Sequence, residues 1–297
     1  MSKAKYLFES IAKAAKLSKY KCPSCGMISH KTVDRKLMIT TLRHCLNCDL
    51  QYRTPTTSEQ ESKTFYEEEY SQPGLTTDLP SREELFKLIE CDFIETEKDH
   101  SHLKDLLRLL ASEKKDRLRV LDYGANWGYG VYQIDKFPTV SECVGYEYSD
   151  VRRRYGQENL GIRYVEEKEF GDEKFDLIFS SHVIEHMFNP SLLLSHAEML
   201  LKKDGWLVIV CPNGSYSARI ANQRWSKLWG SVHPNLISDQ YLCSLFSWYK
   251  GGIYNEQYDE KSANLYLSNH NKKVSSYMPK TPNLLAVLKR DGASEPG

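Results

Sequence analysis

No apolar run in the 297 residues approaches the ~18–20 positions that a membrane helix needs, so a spanning segment is not expected. The N-terminal segment also lacks the apolar centre of a secretion signal, which makes a cytoplasmic protein the expectation. Net charge is missing as well. Lys and Arg number 40 and Asp and Glu number 40, so the whole molecule has no electrostatic reason to seek polyanions, and a nucleic-acid partner is disfavoured. The balance is uneven along the chain, because residues 1–53 carry eleven Lys/Arg against three Asp/Glu. Residues 59–100 are acidic instead, with Glu67, Glu68 and Glu69 in a row. Solvated surface accounts for both runs. Lys3–Lys21 has the spacing of a short amphipathic helix (Leu7, Ile11, Ala14, Ala15), expected to pack on the body rather than lie on a membrane. A hydrophobic fraction of 40% and an aromatic fraction of 11% suffice for a packed core.

The most informative stretch is Arg119–Gly130, R-V-L-D-Y-G-A-N-W-G-Y-G. An apolar run ends in Asp122, and glycines follow at 124, 128 and 130, which reads as a buried strand, a tight turn and the start of a helix. Such a loop at the carboxyl end of a strand is where open α/β sheets bind nucleotide-like ligands. Glu147, at the end of a second strand expected over Glu142–Tyr148, has the spacing of a carboxylate that accepts ribose hydroxyls. A third strand is expected at 162–166 and a fourth in F-D-L-I-F, leading to Ser180–His186. A helix (S-L-L-L-S-H-A-E-M-L-L) and a fifth strand over Trp206–Cys211 come next. Strands alternate with helical patterns, so a parallel sheet wound on both faces is the economical fold.

The eight cysteines divide in two. Cys91, Cys143, Cys211 and Cys243 sit in apolar patterns and read as buried thiols. Cys22 and Cys25, then Cys45 and Cys48, make two C-x-x-C pairs separated by nineteen residues, the ribbon spacing for tetrahedral Zn²⁺. Four thiolates leave no open position, so this zinc is structural. Lys31–Thr41 between the pairs suits short strands.

V-L-D-Y-G-A-N-W-G, Glu147, F-D-L-I-F-S-S-H-V-I-E-H-M-F-N-P and L-L-K-K-D-G-W-L-V-I-V-C-P-N together resemble the class I S-adenosylmethionine-dependent methyltransferases. The resemblance runs motif by motif from Leu118 to about Asn213, and more loosely to Arg290. It departs at Asn126, where that family usually has glycine; asparagine tolerates left-handed backbone. A plain NAD-binding Rossmann domain competes, but the third glycine is displaced from G-x-G-x-x-G. The cysteine pairs followed by D-L-Q-Y-R-T-P and F-Y-E-E-E-Y resemble the N-terminal module of bacterial methyltransferases acting on sugars and small metabolites, enzymes tied to surface-glycan (polysaccharide) or natural-product biosynthesis.

The resemblance implies an α/β, Rossmann-like, doubly wound seven-stranded sheet with a small four-cysteine ribbon and a helical lid. Its expected domains are 1–57 (N-terminal helix and ribbon), 58–115 (helical lid or linker), 116–290 (methyltransferase domain) and 291–297 (tail). It places Gly124, Asn126 and Gly128 against the methionine part of S-adenosylmethionine, and Asp122 on the loop or the amino group. Glu166 to Lys168 fall near adenine, Ser181 and His182 at the sulfonium end, and Tyr66 and Tyr70 on the lid. Trp127 either shields the loop or packs. A hydroxyl acceptor needs a general base, for which histidine is suited. His186, beside Glu185, and His233 in W-G-S-V-H-P-N are the candidates; His186 also reads as a hydrogen-bonding support and His233 as a turn residue. His100, His102, His196 and His270 read as solvated. Arg219, Arg224, Trp225, Lys227 and Trp229 suggest a pocket for an anionic or sugar-bearing small-molecule acceptor. Beyond it are expected a helix over Ser238–Trp248, a turn at Gly251-Gly252, and strands near Asn264–Ser268 and Asn283–Lys289. An RNA methyltransferase and a non-catalytic protein of the same fold stay open as alternatives.

Overall fold

The computed structural model describes residues 20–36, 39–64, 79–222 and 225–291. Tyr66, Tyr70, Arg224, all but the first residue of the expected tail and all but the last two residues of the Lys3–Lys21 helix lie outside them. The chain begins with β1 (His30–Lys36), β2 (Thr40–Cys45) and β3 (Gln51–Thr54), which pair antiparallel in that order. β1 and β2 answer to the short strands expected over Lys31–Thr41, whereas β3 lies beyond the second cysteine pair. Helices α1 (Glu59–Thr64), α2 (Arg82–Glu90) and α3 (Lys104–Lys114) follow. Ser81 opens α2 with a capping box to Glu84.

The larger unit contains β4 (Leu118–Tyr123), α4 (Tyr129–Ile134), β5 (Val140–Tyr146), α5 (Asp150–Leu160), β6 (Phe175–Ser181), α6 (Leu192–Leu200) and β7 (Leu201–Pro212). It continues with α7 (Tyr216–Ala221), β8 (Asn235–Leu236), α8 (Asp239–Leu245), β9 (Lys250–Asn255), α9 (Glu260–Asn269), β10 (Ser275–Ser276) and β11 (Asn283–Lys289). Seven strands form one sheet in the order β10-β9-β11-β7-β6-β4-β5. Alternation along each strand feeds two cores. Leu121, Ile178, Leu207, Ile209, Leu284 and Ala286 face one way, with α6 and α8. Val120, Leu177, Val208, Val210, Leu285 and Val287 face the other, with α3, α4 and α9. Both faces being covered explains why these strands read as continuous apolar runs.

Several expectations are corrected. The sheet is mixed, because β11 runs antiparallel to β7 and β9. The connection from β10 is too short for the crossover that a parallel partner requires. The third strand at 162–166 shrinks to one bridge, Tyr164 to Gly145, before the chain turns away at the 3₁₀ turn Glu167–Glu169. Asn264–Ser268 lies inside α9, which Asp259 caps by accepting from the Ser262 N–H, with Ala263 and Tyr266 buried beneath. Gly251 and Gly252 belong to β9 rather than a turn. Cys91 is exposed and Cys243 only partly covered, whereas Cys143 and Cys211 are buried.

The small sheet is not independent of the large unit. β8 pairs antiparallel with β3 (Gln51 opposite Leu236, Tyr52 opposite Asn235) and becomes the fourth strand of the ribbon. Tyr241 Oη donates to Ser24 Oγ at 3.0 Å and Gln51 Nε2 to Gly214 O at 3.1 Å.

Gly251 has φ +126, and a Cβ there would collide with the Val287 carbonyl of β11. Gly251→Ala is therefore expected to loosen the β9–β11 ladder and cost about 2 kcal/mol or more, read as a lower urea midpoint. An unchanged midpoint would contradict this packing.

Candidate active site and metal centre

The two cysteine pairs adopt matching turns. Cys22 O accepts from Gly26 N–H (2.9 Å) and Cys45 O from Asp49 N–H (3.1 Å), with left-handed Gly26 (φ 73) and Asp49 (φ 65) closing each knuckle. His44 Nε2 lies 3.0 Å from Asp49 Oδ1 and steadies the second turn. The four sulfurs lie within 4.8 Å of one another, with Cys22 to Cys48 at 3.6 Å and Cys25 to Cys45 at 3.5 Å. A tetrahedral zinc with bonds of ~2.3 Å sets its sulfurs ~3.8 Å apart, so the set fits that ion. The hydrogen bond to Cys48 and burial push the Cys22 thiol up, a cost that a bound dication reverses.

The glycine loop leaves the carboxyl end of β4. Gly124 (φ 87) and Gly128 (φ 82) take left-handed backbone, and a Cβ on the first would strike Val183, on the second Ile162 and Tyr164. Asn126 is also left-handed (φ 53), so the loop keeps its shape where the family motif has glycine. Its side chain is engaged: Asn126 Oδ1 accepts from Trp127 N–H at 2.8 Å and from the buried Arg152 guanidinium. Trp127 is fully buried against Phe93, Tyr129 and Tyr155, so it packs rather than screens.

Glu147 is the first residue beyond β5. Its Oε2 accepts from Asn126 N–H (2.9 Å) and its Oε1 from Ser149 N–H (2.8 Å). Burial raises its pKa, opposed by those N–H groups and Arg152. Asp122, in β4 and 6% exposed, is pushed up to about 7 by burial and then by the charge of Glu147. One buried and one half-buried carboxylate thus flank the loop and favour a cationic ligand. Glu166 is exposed and paired with Lys168 at 2.8 Å.

The end of β6 supplies a second cluster. His182 (φ 55) follows Ser181 and hangs its N–H on Val210 O at 2.8 Å. Its Nδ1 meets Glu185 Oε1 at 3.2 Å, and that bond raises the His182 pKa. Glu185 is 2% exposed; burial opposes its charge, yet the His182 bond and the nearby His186 hold its pKa below the usual value. His186 Nδ1 contacts Val232 O at 2.9 Å and His233 Nδ1 contacts Leu228 O at 3.1 Å. The two rings stand edge to face, 4.5 Å between centroids. The structure therefore brings Glu185, His186 and His233 together, although 46 residues separate His186 from Val232. β8 enforces this, since Asn235 N–H donates to Glu185 O at 3.2 Å and its Nδ2 to Met187 O at 2.7 Å.

Trp229 does not line an acceptor pocket. It is buried with Leu42 and Leu236, its Nε1 donates to Asp34 Oδ2 at 3.0 Å, and Lys36 covers its ring. Arg219 lies over Tyr216 and Trp225 and lines a cavity of about 410 Å³ with Lys31, Gln51 and Ser238. His196 and His270 are partly covered rather than solvated: Tyr123 Oη meets His196 Nδ1 at 2.8 Å, and Glu113 pairs with His270 at 3.2 Å. His102 is exposed as expected.

Sequence reasoning missed two residues. His100 packs its ring against Tyr129 and Phe179 close to Asp122, and burial lowers its pKa to about 4. Glu256 follows β9, accepts from Tyr258 Oη (2.9 Å) and Asn283 Nδ2 (2.7 Å), and its charge acts on His102 and His182. Reading Gly251-Gly252 as a turn hid the strand that carries Glu256. No pattern in the sequence marks His100.

The family profile described as a methyltransferase domain matches residues 96–249, which is more than half of the chain. The chain belongs to the methyltransferase family. The glycine loop after the first strand of the large sheet, the acid after the second and the antiparallel β11 make it a class I, S-adenosylmethionine-dependent member. Solved structures that resemble it include the plantazolicin methyltransferase BpumL with a triazolic desmethylPZN analog and SAH (15% identity, TM-score 0.49, covering 77% of this chain and 96% of that one). Another is an S-adenosylmethionine-dependent methyltransferase from Archaeoglobus fulgidus (17% identity, TM-score 0.45, 69% and 100%). A third comes from Mesorhizobium loti (16%, 0.44, 65% and 100%). No curated protein matches the chain. Among the described residues no helix is long and apolar enough to cross a membrane.

Changing both Cys22 and Cys45 to Ser is expected to abolish zinc retention in a chelator assay. Loss of amide-exchange protection at residues 51–54 should accompany it, because the methyltransferase holds these strands together through the knuckles. A metal-free variant with those amides still protected would contradict the zinc assignment.

Proposed function

We infer that this methyltransferase transfers a methyl group from S-adenosylmethionine to a sugar, sugar nucleotide or related small metabolite, in surface-glycan or natural-product biosynthesis. The observation that carries the cofactor half is Glu147, a half-buried carboxylate whose two oxygens each take one backbone N–H, leaving further lone pairs for ribose hydroxyls. Gly124, Asn126 and Gly128 face the methionine part, Asp122 the amino group, Glu166 the adenine side, and Ser181 with His182 the sulfonium end. Tyr70 is proposed as a lid contact. Bound there, the cofactor supplies an electrophilic methyl whose bonding pair stays on sulfur.

The acceptor half is supported by the cavity beside the ribbon. Arg219 and Gln51 both line it, and Arg219 Nε and Gln51 Oε1, a donor and an acceptor, are buried with no hydrogen-bond partner among the described residues. Lys31 adds a second cation. A ligand with an anionic group and hydroxyls satisfies both orphans. For a hydroxyl acceptor, Glu185, His186 and His233 handle the proton: the O–H bond breaks, the proton passes to an imidazole, and the oxygen keeps the pair that forms the new bond to carbon.

The test is formation of S-adenosylhomocysteine with a panel of sugars and nucleotide sugars; no cofactor binding at millimolar concentration would end the reading. Glu147→Ala is expected to weaken cofactor binding by roughly 10–100-fold in calorimetry while leaving the fold intact, the size of a lost hydrogen bond to a charged group. Asp122 predicts opposite pH trends. Its pKa is raised on folding to about 7, so the free protein loses stability as pH climbs from the unfolded carboxyl range through 7. A cationic cofactor prefers the carboxylate, so affinity should rise between pH 6 and 8, and Asp122→Asn should flatten that rise.

A further inference from the structure

The geometry points to a second metal site: Glu185, His186 and His233 hold a divalent cation at the acceptor side of the cleft. This rests on the methyltransfer reading above and refines it: the three residues ligate the cation, and the acceptor proton goes elsewhere. Their ligand atoms lie within 4.8 Å of one another, with His186 Nε2 3.9 Å from Glu185 Oε1. Each imidazole sets its Nδ1 against a backbone carbonyl, Val232 for His186 and Leu228 for His233. That contact fixes Nδ1 as the protonated nitrogen and makes Nε2 the lone-pair donor, the arrangement that orients metal-bound histidines.

An independent observation is the carboxylate. Glu185 is 2% exposed, and its Oε2 has no hydrogen-bond partner among the described residues. A buried ionised oxygen without a partner is expensive, and a cation relieves it. The remaining oxygen is already bound by His182 at 3.2 Å, which orients the group. The backbone also fixes the site, since Asn235 clamps the carbonyls of Glu185 and Met187 from the strand that follows His233.

Two imidazoles and one carboxylate suit zinc or a neighbouring first-row ion and leave coordination positions open. An acceptor hydroxyl in an open position is acidified by the cation, its proton passing to His182, the remaining imidazole on Glu185. The ribbon zinc has no such position, so the two metals serve different ends.

The test is metal stoichiometry on the full chain, loaded with Zn²⁺, dialysed and measured by mass spectrometry. Two equivalents per chain are expected, falling to one in His233→Asn and in Glu185→Gln, with the ribbon zinc retained. Co²⁺ added to protein whose ribbon already holds zinc should give weak visible bands without thiolate charge transfer, absent in His233→Asn. One equivalent in the parent chain, or a second equivalent that survives both substitutions, overturns the proposal. Cofactor calorimetry on the same samples keeps the two readings apart. Cofactor binding with a single metal removes the second site alone, whereas two metals without cofactor binding would remove the methyltransfer reading instead.

Discussion

The pairing of β8 with β3 is the constraint on which most of this architecture depends. Two residues of the catalytic unit, Asn235 and Leu236, complete a sheet that the zinc ribbon begins. Asn235 also reaches back to the carbonyls of Glu185 and Met187. One short strand therefore ties the ribbon, the turn after β6 and the segment carrying His233 into a single body. Zinc binding contributes ~10–16 kcal/mol in small ribbon-like peptides, as much as the ~5–15 kcal/mol net stability of a whole domain. The four-cysteine knuckles thus bear, through β3 and β8, on where His233 sits.

Along the carboxyl edge of the sheet, three carboxylates, two buried and one half-buried, are treated in three ways. Among the described residues no cation offsets the burial of Asp122, and its pKa rises to about 7. Glu147 is held by two backbone N–H groups and the arginines of α5, which offset part of its burial. Glu185 sits among histidines that keep it ionised. Burial is common to all three; the partners decide the charge state. Such clustering of perturbed groups in one cleft is what a site for a cationic ligand and a proton transfer requires.

Much of this was legible in the chain itself. The continuous apolar runs of β4, β6, β7 and β11 report a sheet covered on both faces, and the cysteine spacing reports a closed knuckle. The glycine turn and Glu147 follow from local backbone geometry plus a fixed separation along the chain. These signals are short-range, so periodicity and spacing carry them. Where local cues were ambiguous the reading failed: paired glycines suggest a turn, yet Gly251 and Gly252 lie in a strand because the neighbouring β11 carbonyl leaves no room for a Cβ. Asn264–Ser268 reads as a strand in isolation, but the Asp259 cap and the burial of Ala263 and Tyr266 make it helical.

Tertiary structure alone decided which histidines meet. His186 and His233 are far apart in sequence, and nothing in either neighbourhood marks them as partners; the β8–β3 pairing brings their rings within 4.5 Å. It likewise placed His100 beside Asp122 and removed Trp229 from the cleft into the ribbon junction. The sequence determined most of the elements, the cysteine knuckles and the glycine loop, because each is fixed by residues close along the chain. The Glu185, His186 and His233 cluster was settled by long-range packing, since its buried charge and orphaned polar atom exist only once distant segments exclude water between them.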